Sequence, residues 1–203
     1  MTVAYIGLGA NLPGAAGSPA ATLAAAVERL ASLGKVIACS RLYSTAPVGY
    51  ADQPRFLNAV VGVETHLGPR DLLVSLLGIE RAFGRDRASA IVNGPRTLDL
   101  DILFYGDSMV SESGLEIPHP RLAERAFVLV PLNEITPDTR DPRSGAKVKE
   151  LLEKLRAGLS LHSDQTTDEV VAIESDCWRA GIAHADAGSD DARADAVTYP
   201  NHS

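Results

Sequence analysis

The alternation of apolar and polar positions predicts four strands in the first half of the chain. Each is a short run of β-forming residues bounded by glycine, proline or polar turn residues. They lie at residues 3–8, 35–44, 56–65 and 98–105. A shorter helical stretch is predicted after Pro120, and residues 127–132 are apolar again.

Two helices are predicted between these strands. The first begins after Ser18, with Pro19 at its first position and Gly34 beyond its end. The second begins at Pro69, ends at Gly84 and presents a single apolar face formed by Leu72, Leu76, Ile79 and Phe83. The order strand, helix, strand, strand, helix, strand is typical of a ferredoxin-like split βαβ fold of the α+β class. We therefore expect a mainly antiparallel sheet with both helices packed on one face.

The charge is unevenly distributed and suggests a domain with a tail. Residues 1–158 carry 17 basic and 17 acidic side chains, whereas residues 159–203 carry 2 basic and 9 acidic ones, which is the whole net charge of −7. The tail is rich in Asp, Ala, Ser and Gly, so we expect it to be mostly disordered, with a short helix over residues 169–178. We also expect its removal after Gly158 to leave the melting temperature and turnover nearly unchanged. The alternative is a small helical patch, formed by Val170, Val171, Ile173 and Trp178, that docks on the domain.

Composition narrows the class of protein further. With 45% hydrophobic and 22% charged residues, the chain is globular rather than fibrous or wholly disordered. A neutral domain argues against nucleic acid as a partner, and no apolar run approaches the ~18 residues that a membrane span needs. Two cysteines, Cys39 and Cys177, fit thiols in a reducing cytosol. We expect a cytoplasmic protein, without membrane partners and monomeric.

Asp99 and Asp101 carry the strongest chemical signal. They stand two apart in a predicted strand, so both carboxylates project from one face, while the core receives Leu98, Leu100, Ile102 and Phe104. Such a pair suits magnesium, which takes one or two carboxylates together with substrate phosphates. The alternative is a solvated polar face on an amphipathic strand.

Two long connections flank this strand and its neighbours. The connection over residues 84–97 contains Arg85, Arg87 and Arg96, which indicates an anionic substrate and phosphoryl transfer. It could equally be a basic surface loop. The connection over residues 45–55 leads into Phe56 and Asn58, an aromatic ring and an amide on one strand face that suit a flat heterocycle. An ordinary half-buried strand is the alternative there, and His119 between two prolines reads as a turn residue.

Residues 94–101, with the sequence GPRTLDLD, resemble the signature of the 6-hydroxymethyl-7,8-dihydropterin pyrophosphokinase family. The resemblance continues in residues 4–12, 52–59 and 117–119, and in Arg125 and Phe127, and covers about residues 1–158. It implies transfer of pyrophosphate from ATP to the pterin hydroxymethyl oxygen, with release of AMP, as a step of folate biosynthesis.

The resemblance also implies a role for each site residue. The pterin would lie between Phe56 and Phe127, near Thr45, Val48 and Asn58. Two magnesium ions would be bound by Asp99 and Asp101. ATP would be held by Arg85, Arg87, Arg96, His119 and Arg125, with Glu80 and Ile102 lining its site. Arg85 and Arg96 would act on the transferring group, and Asp101 is the candidate general base.

Several positions depart from the family pattern. Asn93 stands in place of a tryptophan that covers the substrates, and Ala46 replaces a proline. Further departures near the nucleotide are Leu77, Gly114 and Glu116. These departures leave open a degenerate paralogue that acts as a binding protein, and the fold alone leaves open an RNA-recognition module.

Overall fold

The computed structural model describes residues 1–50, 52–86, 93–160, 170–175 and 178. Its centre is an antiparallel sheet. The strands of this sheet are β1 (Thr2–Ala10), β2 (Lys35–Cys39), β3 (Leu42–Thr45), β4 (Phe56–Thr65), β5 (Asp99–Tyr105) and β8 (Val171–Ile173). They lie in the order β5-β1-β4-β3-β8, and β2 also pairs with β4. A separate hairpin is formed by β6 (Val110–Glu112) and β7 (Leu115–Ile117). The ferredoxin-like α+β architecture predicted from the element order is confirmed.

The first helix layer follows directly from the local sequence. Helix α1 (Pro19–Ala31) begins where the Ser18 hydroxyl accepts a hydrogen bond from the Ala21 amide, and helix α2 (Pro69–Ala82) also has a proline in its first turn. Their apolar faces pack on one side of the sheet in a helix-side core that includes Leu23, Val27, Leu30, Leu72 and Leu76. Both helices were predicted from these patterns.

A second helix layer covers part of the other face of the sheet. The sequence predicted only its beginning, the short helical stretch after Pro120. The layer consists of α3 (Ala126–Ile135), preceded by a 3₁₀ turn at Leu122–Glu124, and α4 (Val148–Ser160). A second core, here the α3-side core, joins these helices to the sheet through residues such as Val60, Leu103, Phe104, Leu129 and Leu152. The two predicted helices, α1 and α2, share one face of the sheet as expected, and α3 and α4 add a layer on the other face.

The predicted strand over residues 35–44 is divided in two at Ser40. The buried Ser40 hydroxyl accepts from the Val60 amide at 3.0 Å and donates to the Arg41 carbonyl at 2.8 Å. These bonds to neighbouring backbone groups compete with regular strand pairing. As a result β2 and β3 pair with successive parts of β4.

An irregularity in β5 changes which side of the sheet Phe104 faces. Tyr5 pairs with Phe104 but Ile6 pairs with Ile102, so Leu103 is an extra residue in the ladder. Leu100 and Ile102 lie in the helix-side core as expected, whereas Leu103 and Phe104 both lie in the α3-side core. The expected strict alternation through Phe104 is therefore wrong.

The C-terminal segment also differs from expectation in its described residues. Helix α4 continues past Gly158 to Ser160, and residues 171–173 form a strand instead of part of a helix. Trp178 is 4% exposed, so the expectation of an undocked tail is wrong for this part of the chain. The reason is that Val171 and Ile173 favour extended structure and the large indole buries enough apolar area to hold the segment.

Candidate active site

The floor of a cleft is formed where α3 leaves one sheet face uncovered. Gly9 pairs with Asn58 on one side and with Asp99 on the other, and Gly7 pairs with Asp101. Because paired residues share a sheet face, both carboxylates and the Asn58 amide lie on the same side. Because Gly7 and Gly9 have no side chains, the cleft is deeper at these two positions. The predicted same-face placement of Asp99 and Asp101 is thus present in the structure.

Two arginines bind the carboxylate of Asp99. Arg85 donates from Nη1 to Oδ1 of Asp99 at 2.5 Å, and Arg96 donates from Nη1 to Oδ2 at 2.5 Å. Arg85 also donates to the Leu98 carbonyl at 2.7 Å, and its side chain is 13% exposed. These charge-assisted bonds fix both guanidinium groups at the edge of the cleft.

Asp101 and His119 form the second part of the charged cluster. Burial and the neighbouring Asp99 carboxylate raise the pKa of Asp101 to about 6. The His119 ring lies with Nε2 at 3.9 Å from Oδ2 of Asp101, and burial together with the Arg125 charge lowers the pKa of His119 to about 4. His119 is therefore uncharged at neutral pH. A cation beside Asp101 would favour the ionised form of the Asp101 carboxyl group.

The other half of the cleft is apolar and aromatic. Phe56 lies beneath the Arg96 guanidinium, whose Cζ is 5.1 Å from the ring centroid. Beside it, the Asn58 side chain donates from Nδ2 to the Thr45 hydroxyl at 2.8 Å. Phe127 lies on the first turn of α3, under the Arg125 guanidinium at 5.6 Å. Arg96 thus contacts both the carboxylate and the aromatic half of the cleft.

Most of the residues predicted for the site line this one cleft. The lining includes Thr45, Val48, Phe56, Asn58, Arg96, Asp99, Asp101, Arg125 and Phe127. Arg85 and His119 lie behind the lining and reach it through Asp99 and Asp101. Glu80 is buried, 3.8 Å from Arg85, and accepts a hydrogen bond from the Leu100 amide at 2.9 Å.

The remaining two predicted residues are Ile102 and Arg87. The Ile102 side chain packs in the helix-side core, on the sheet face opposite to Asp101. Arg87 lies outside the described residues. Within the described ranges, no group of three or more His, Cys, Asp or Glu side chains is arranged to hold a metal ion.

Some residues of the cleft were not predicted from the sequence. Arg121, Glu124 and Val128 line it from the 3₁₀ turn and α3. Gly7 and Gly9 were noted as glycines that lack a phosphate-loop motif, but their pairing with the two aspartates becomes visible only in the sheet register. The sequence signal for Arg121 was its position. It follows a histidine that lies between two prolines, and it precedes an apolar helix.

The cleft brings basic side chains and a carboxylate pair next to an aromatic and amide wall, an arrangement suited to an enzyme that transfers a phosphate-containing group to a flat heterocycle. The model of the 7,8-dihydro-6-hydroxymethylpterin-pyrophosphokinase family matches residues 5–137. The chain belongs to this family, and is an enzyme of folate biosynthesis.

Individual relatives agree with this assignment. A 2-amino-4-hydroxy-6-hydroxymethyldihydropteridine pyrophosphokinase of Methylorubrum extorquens is 48% identical over 157 residues, which is 76% of this chain and 94% of the relative. The enzyme of the same name from Pseudomonas aeruginosa is 43% identical over 150 residues, 73% of this chain and 88% of the relative. These names give no support to the alternative of a degenerate binding protein.

A solved structure shows the same fold. The crystal structure of wild-type Plasmodium falciparum HPPK-DHPS matches with a TM-score of 0.69 at 18% identity, covering 86% of this chain and 48% of that one. In the described parts of this chain, no helix has both the length and the apolar character that a membrane crossing requires.

Proposed function

We propose that this chain transfers the β,γ-pyrophosphoryl group of ATP to the hydroxymethyl oxygen of 6-hydroxymethyl-7,8-dihydropterin, using the cleft described above. The observation that carries the proposal is the position of Arg96. Its guanidinium contacts Asp99 on one side and the Phe56 ring on the other, so one side chain joins a phosphate-binding half to a heterocycle-binding half. Attack by the pterin oxygen requires the two substrates to meet at such a boundary.

The pterin half is formed by Phe56, Phe127, Thr45, Val48 and Asn58. Phenyl rings offer flat apolar surfaces to a bicyclic heterocycle. Asn58 Nδ2 is bound to the Thr45 hydroxyl, which fixes the amide plane and leaves Oδ1 as the acceptor for a ring-edge N–H. Orientation of the ring then directs its hydroxymethyl group toward the carboxylates.

We assign the nucleotide half to Arg85, Arg96, Arg125 and His119. The family resemblance adds Arg87, which lies outside the described residues. Guanidinium groups bind phosphate oxygens in a bidentate manner and stabilise the charge that develops on the transferring group. Arg85 is held by the Leu98 carbonyl and by the nearby buried Glu80, so its charge is placed before the substrate arrives. A neutral His119 donates or accepts a hydrogen bond without adding charge.

The chemistry of the carboxylate pair fits two magnesium ions bound with ATP. Asp99 and Asp101 offer hard oxygen atoms on one face. Burial and the neighbouring Asp99 carboxylate raise the pKa of Asp101, and a cation would compensate both effects. Bound magnesium supplies charge neutralisation and alignment of the triphosphate. Asp101 is also our candidate to accept the hydroxyl proton. We further infer a monomer that acts in the cytoplasm.

The test is single-turnover formation of AMP by Asp99→Asn and Asp101→Asn at saturating magnesium. Each variant is expected to lose about 100-fold or more in rate, because each removes a charge that acts on the transferring group. Asp107→Asn provides the matched control, since Asp107 is an exposed carboxylate just beyond β5. A folded Asp101→Asn variant with a near-normal rate would overturn the assignment, and circular dichroism establishes that the variants are folded.

A further inference from the structure

The C-terminal strap, defined here as residues 170–175 together with Trp178, lies outside the part of the chain that the family model matches. Its strand β8 pairs antiparallel with β3, through Leu42 with Ile173, Tyr43 with Ala172 and Ser44 with Val171. Strand β3 therefore has a neighbour on both sides. Without β8 it would be an edge strand of four residues.

Trp178 fixes the beginning of the same strand. Its indole Nε1 donates to the Ser40 carbonyl at 3.0 Å, and its ring is buried in the helix-side core. Ser40 lies two residues before the start of β3, and its hydroxyl accepts a hydrogen bond from the Val60 amide of β4. The strap thus holds β3 both along its edge and at its N-terminal end.

Strand β3 ends at Thr45, in the aromatic half of the cleft. The Thr45 hydroxyl accepts from Asn58 Nδ2, and β3 is joined to β4 over the three pairs Tyr43–Asn58, Ser44–Leu57 and Thr45–Phe56. A short strand held on one side opens more readily than one held on both. The order of this half of the cleft therefore depends on what lies at the outer edge of β3.

The carboxylate half is remote from the strap. Asp99 and Asp101 lie on β5, at the opposite edge of the sheet order β5-β1-β4-β3-β8. Three strands separate β5 from β8, and β1 and β4 are long strands in the middle of the sheet. Loosening of β3 is therefore expected to reach Thr45 before it reaches the carboxylates.

We propose that the C-terminal strap is a positioning element for the pterin half of the site. By docking on β3 it keeps Thr45 and Asn58 in their binding geometry, and it does so without touching the substrate. This inference rests on the proposed function in so far as Thr45 and Asn58 are assigned to the pterin. It assigns to the chain's own C-terminal residues a role in substrate affinity in addition to stability.

The test measures, by calorimetry, the binding of a non-hydrolysable ATP analogue with magnesium and then of the pterin. In the full chain, the variant Trp178→Ala is expected to bind the pterin about fivefold more weakly, the smallest usual coupling between sites. The affinity for the ATP analogue is expected to change less than twofold. Trp178→Phe, which keeps an aromatic ring, should recover part of the pterin affinity, and a chain ending after Trp178 should behave as wild type.

A matched variant separates positioning from general loss of stability. Val27→Ala removes two methyl groups from α1 in the helix-side core, so it lowers the melting temperature without touching β3. It is expected to leave pterin affinity unchanged. If Trp178→Ala lowers the melting temperature and binds the pterin as tightly as wild type does, the strap is merely structural and the proposal is overturned.

Hydrogen exchange on the wild-type chain supplies a readout that does not depend on any variant folding. Because coupling is reciprocal, bound pterin should slow exchange of the amides of residues 171–173 relative to the complex with the ATP analogue alone. Unchanged exchange would contradict the proposal. Failure of the wild type to bind the pterin at all would overturn the proposed function as well, whereas normal binding without coupling would overturn the strap alone.

Discussion

At the scale of single residues, Gly9 determines how the two halves of the cleft meet. A Cβ atom at this position would lie 3.1 Å from Oδ1 of Asn58 and 3.9 Å from Cβ of Asp99. The first of these distances is too short unless the amide moves. We expect Gly9→Ala to weaken pterin binding about tenfold, since a hydrogen bond worth roughly 1.4 kcal/mol would be misplaced. Calorimetric titration with the pterin measures the effect.

Gly78 provides the matched glycine-to-alanine control. It lies inside α2, and a Cβ atom there would meet nothing within 4 Å. Gly78→Ala should leave pterin affinity unchanged and stabilise the protein by roughly 0.5–1 kcal/mol, because alanine is the better helix former. Equal pterin affinity in both variants would show that Gly9 has no role in the geometry of the cleft.

Several residues could be placed correctly from the sequence because a strand alternates strictly. The period of two was enough to put Asp99 with Asp101, and Phe56 with Asn58, on common faces. The same rule misplaced Phe104, because the extra residue Leu103 in the β5 ladder depends on pairing with a distant strand. The side-chain partners of Arg96 were likewise beyond a local pattern, since they come from two different strands.

At the scale of elements, a pair of amides connects the loops around the cleft. Asn11 accepts at Oδ1 from the Arg96 amide at 2.8 Å and donates from Nδ2 to Oε1 of Gln53 at 3.0 Å. Gln53 in turn donates from Nε2 to the Asn93 carbonyl at 2.8 Å. The loop after β1, the loop before β4 and the loop before β5 are therefore held by one chain of hydrogen bonds.

This connection predicts a joint effect on both substrates. Gln53→Ala should weaken the binding of the ATP analogue and of the pterin together, each by about three- to tenfold, because one lost anchor loosens both loops. Asp52→Ala alters the exposed neighbouring side chain and serves as the control. An effect confined to one substrate would contradict the joint role. The expected pattern also differs from that of the strap variants, which affect the pterin selectively.

The elements that escaped prediction did so for two reasons. Helix α3 is apolar on nearly all sides and contains Pro131, so its sequence does not distinguish a buried helix from a strand. Helix α4 carries a helical pattern of apolar residues, formed by Val148, Leu151, Leu152 and Leu155, and its sequence was therefore sufficient to predict it. Helices α1 and α2 were easier to predict, because Ser18, Pro19 and Pro69 mark where they begin.

At the scale of the whole molecule, charge pairing joins the α3–α4 connection to the start of α4. The ammonium groups of Lys147 and Lys149 lie 2.9 and 3.0 Å from Oδ1 of Asp138 and lower the pKa of Asp138 to about 2. Since the folded-state pKa is below the ordinary value, the contribution to stability is present above about pH 4 and is lost as the pH falls toward 2.

We therefore expect Asp138→Asn to lower the melting temperature slightly at pH 7, with a difference from wild type that narrows between pH 5 and pH 2. The effect is small because the carboxylate is exposed, and 1 M salt should reduce it further. Thermal unfolding monitored by circular dichroism measures both dependences. A difference that stays constant from pH 7 to pH 2.5 would mean that this carboxylate acts through its shape and not its charge.

The alternation of β5 has a consequence for how this enzyme tolerates change. Asp99 and Asp101 face the cleft, whereas Leu100 and Ile102 face the helix-side core. Neighbouring residues of this strand therefore serve different purposes, catalysis on one face and packing on the other. We expect a survey of all substitutions along the strand to separate two groups of variants. Variants at the aspartates should lose catalytic activity but keep the cellular abundance of the wild type. Variants at the aliphatic residues should be less abundant but keep the specific activity of the wild type. Leu103 is the exception: turned to the other face by the irregular ladder, it lines the cleft and packs in the α3-side core. At that position an altered substrate preference cannot be acquired without also altering the amount of folded protein.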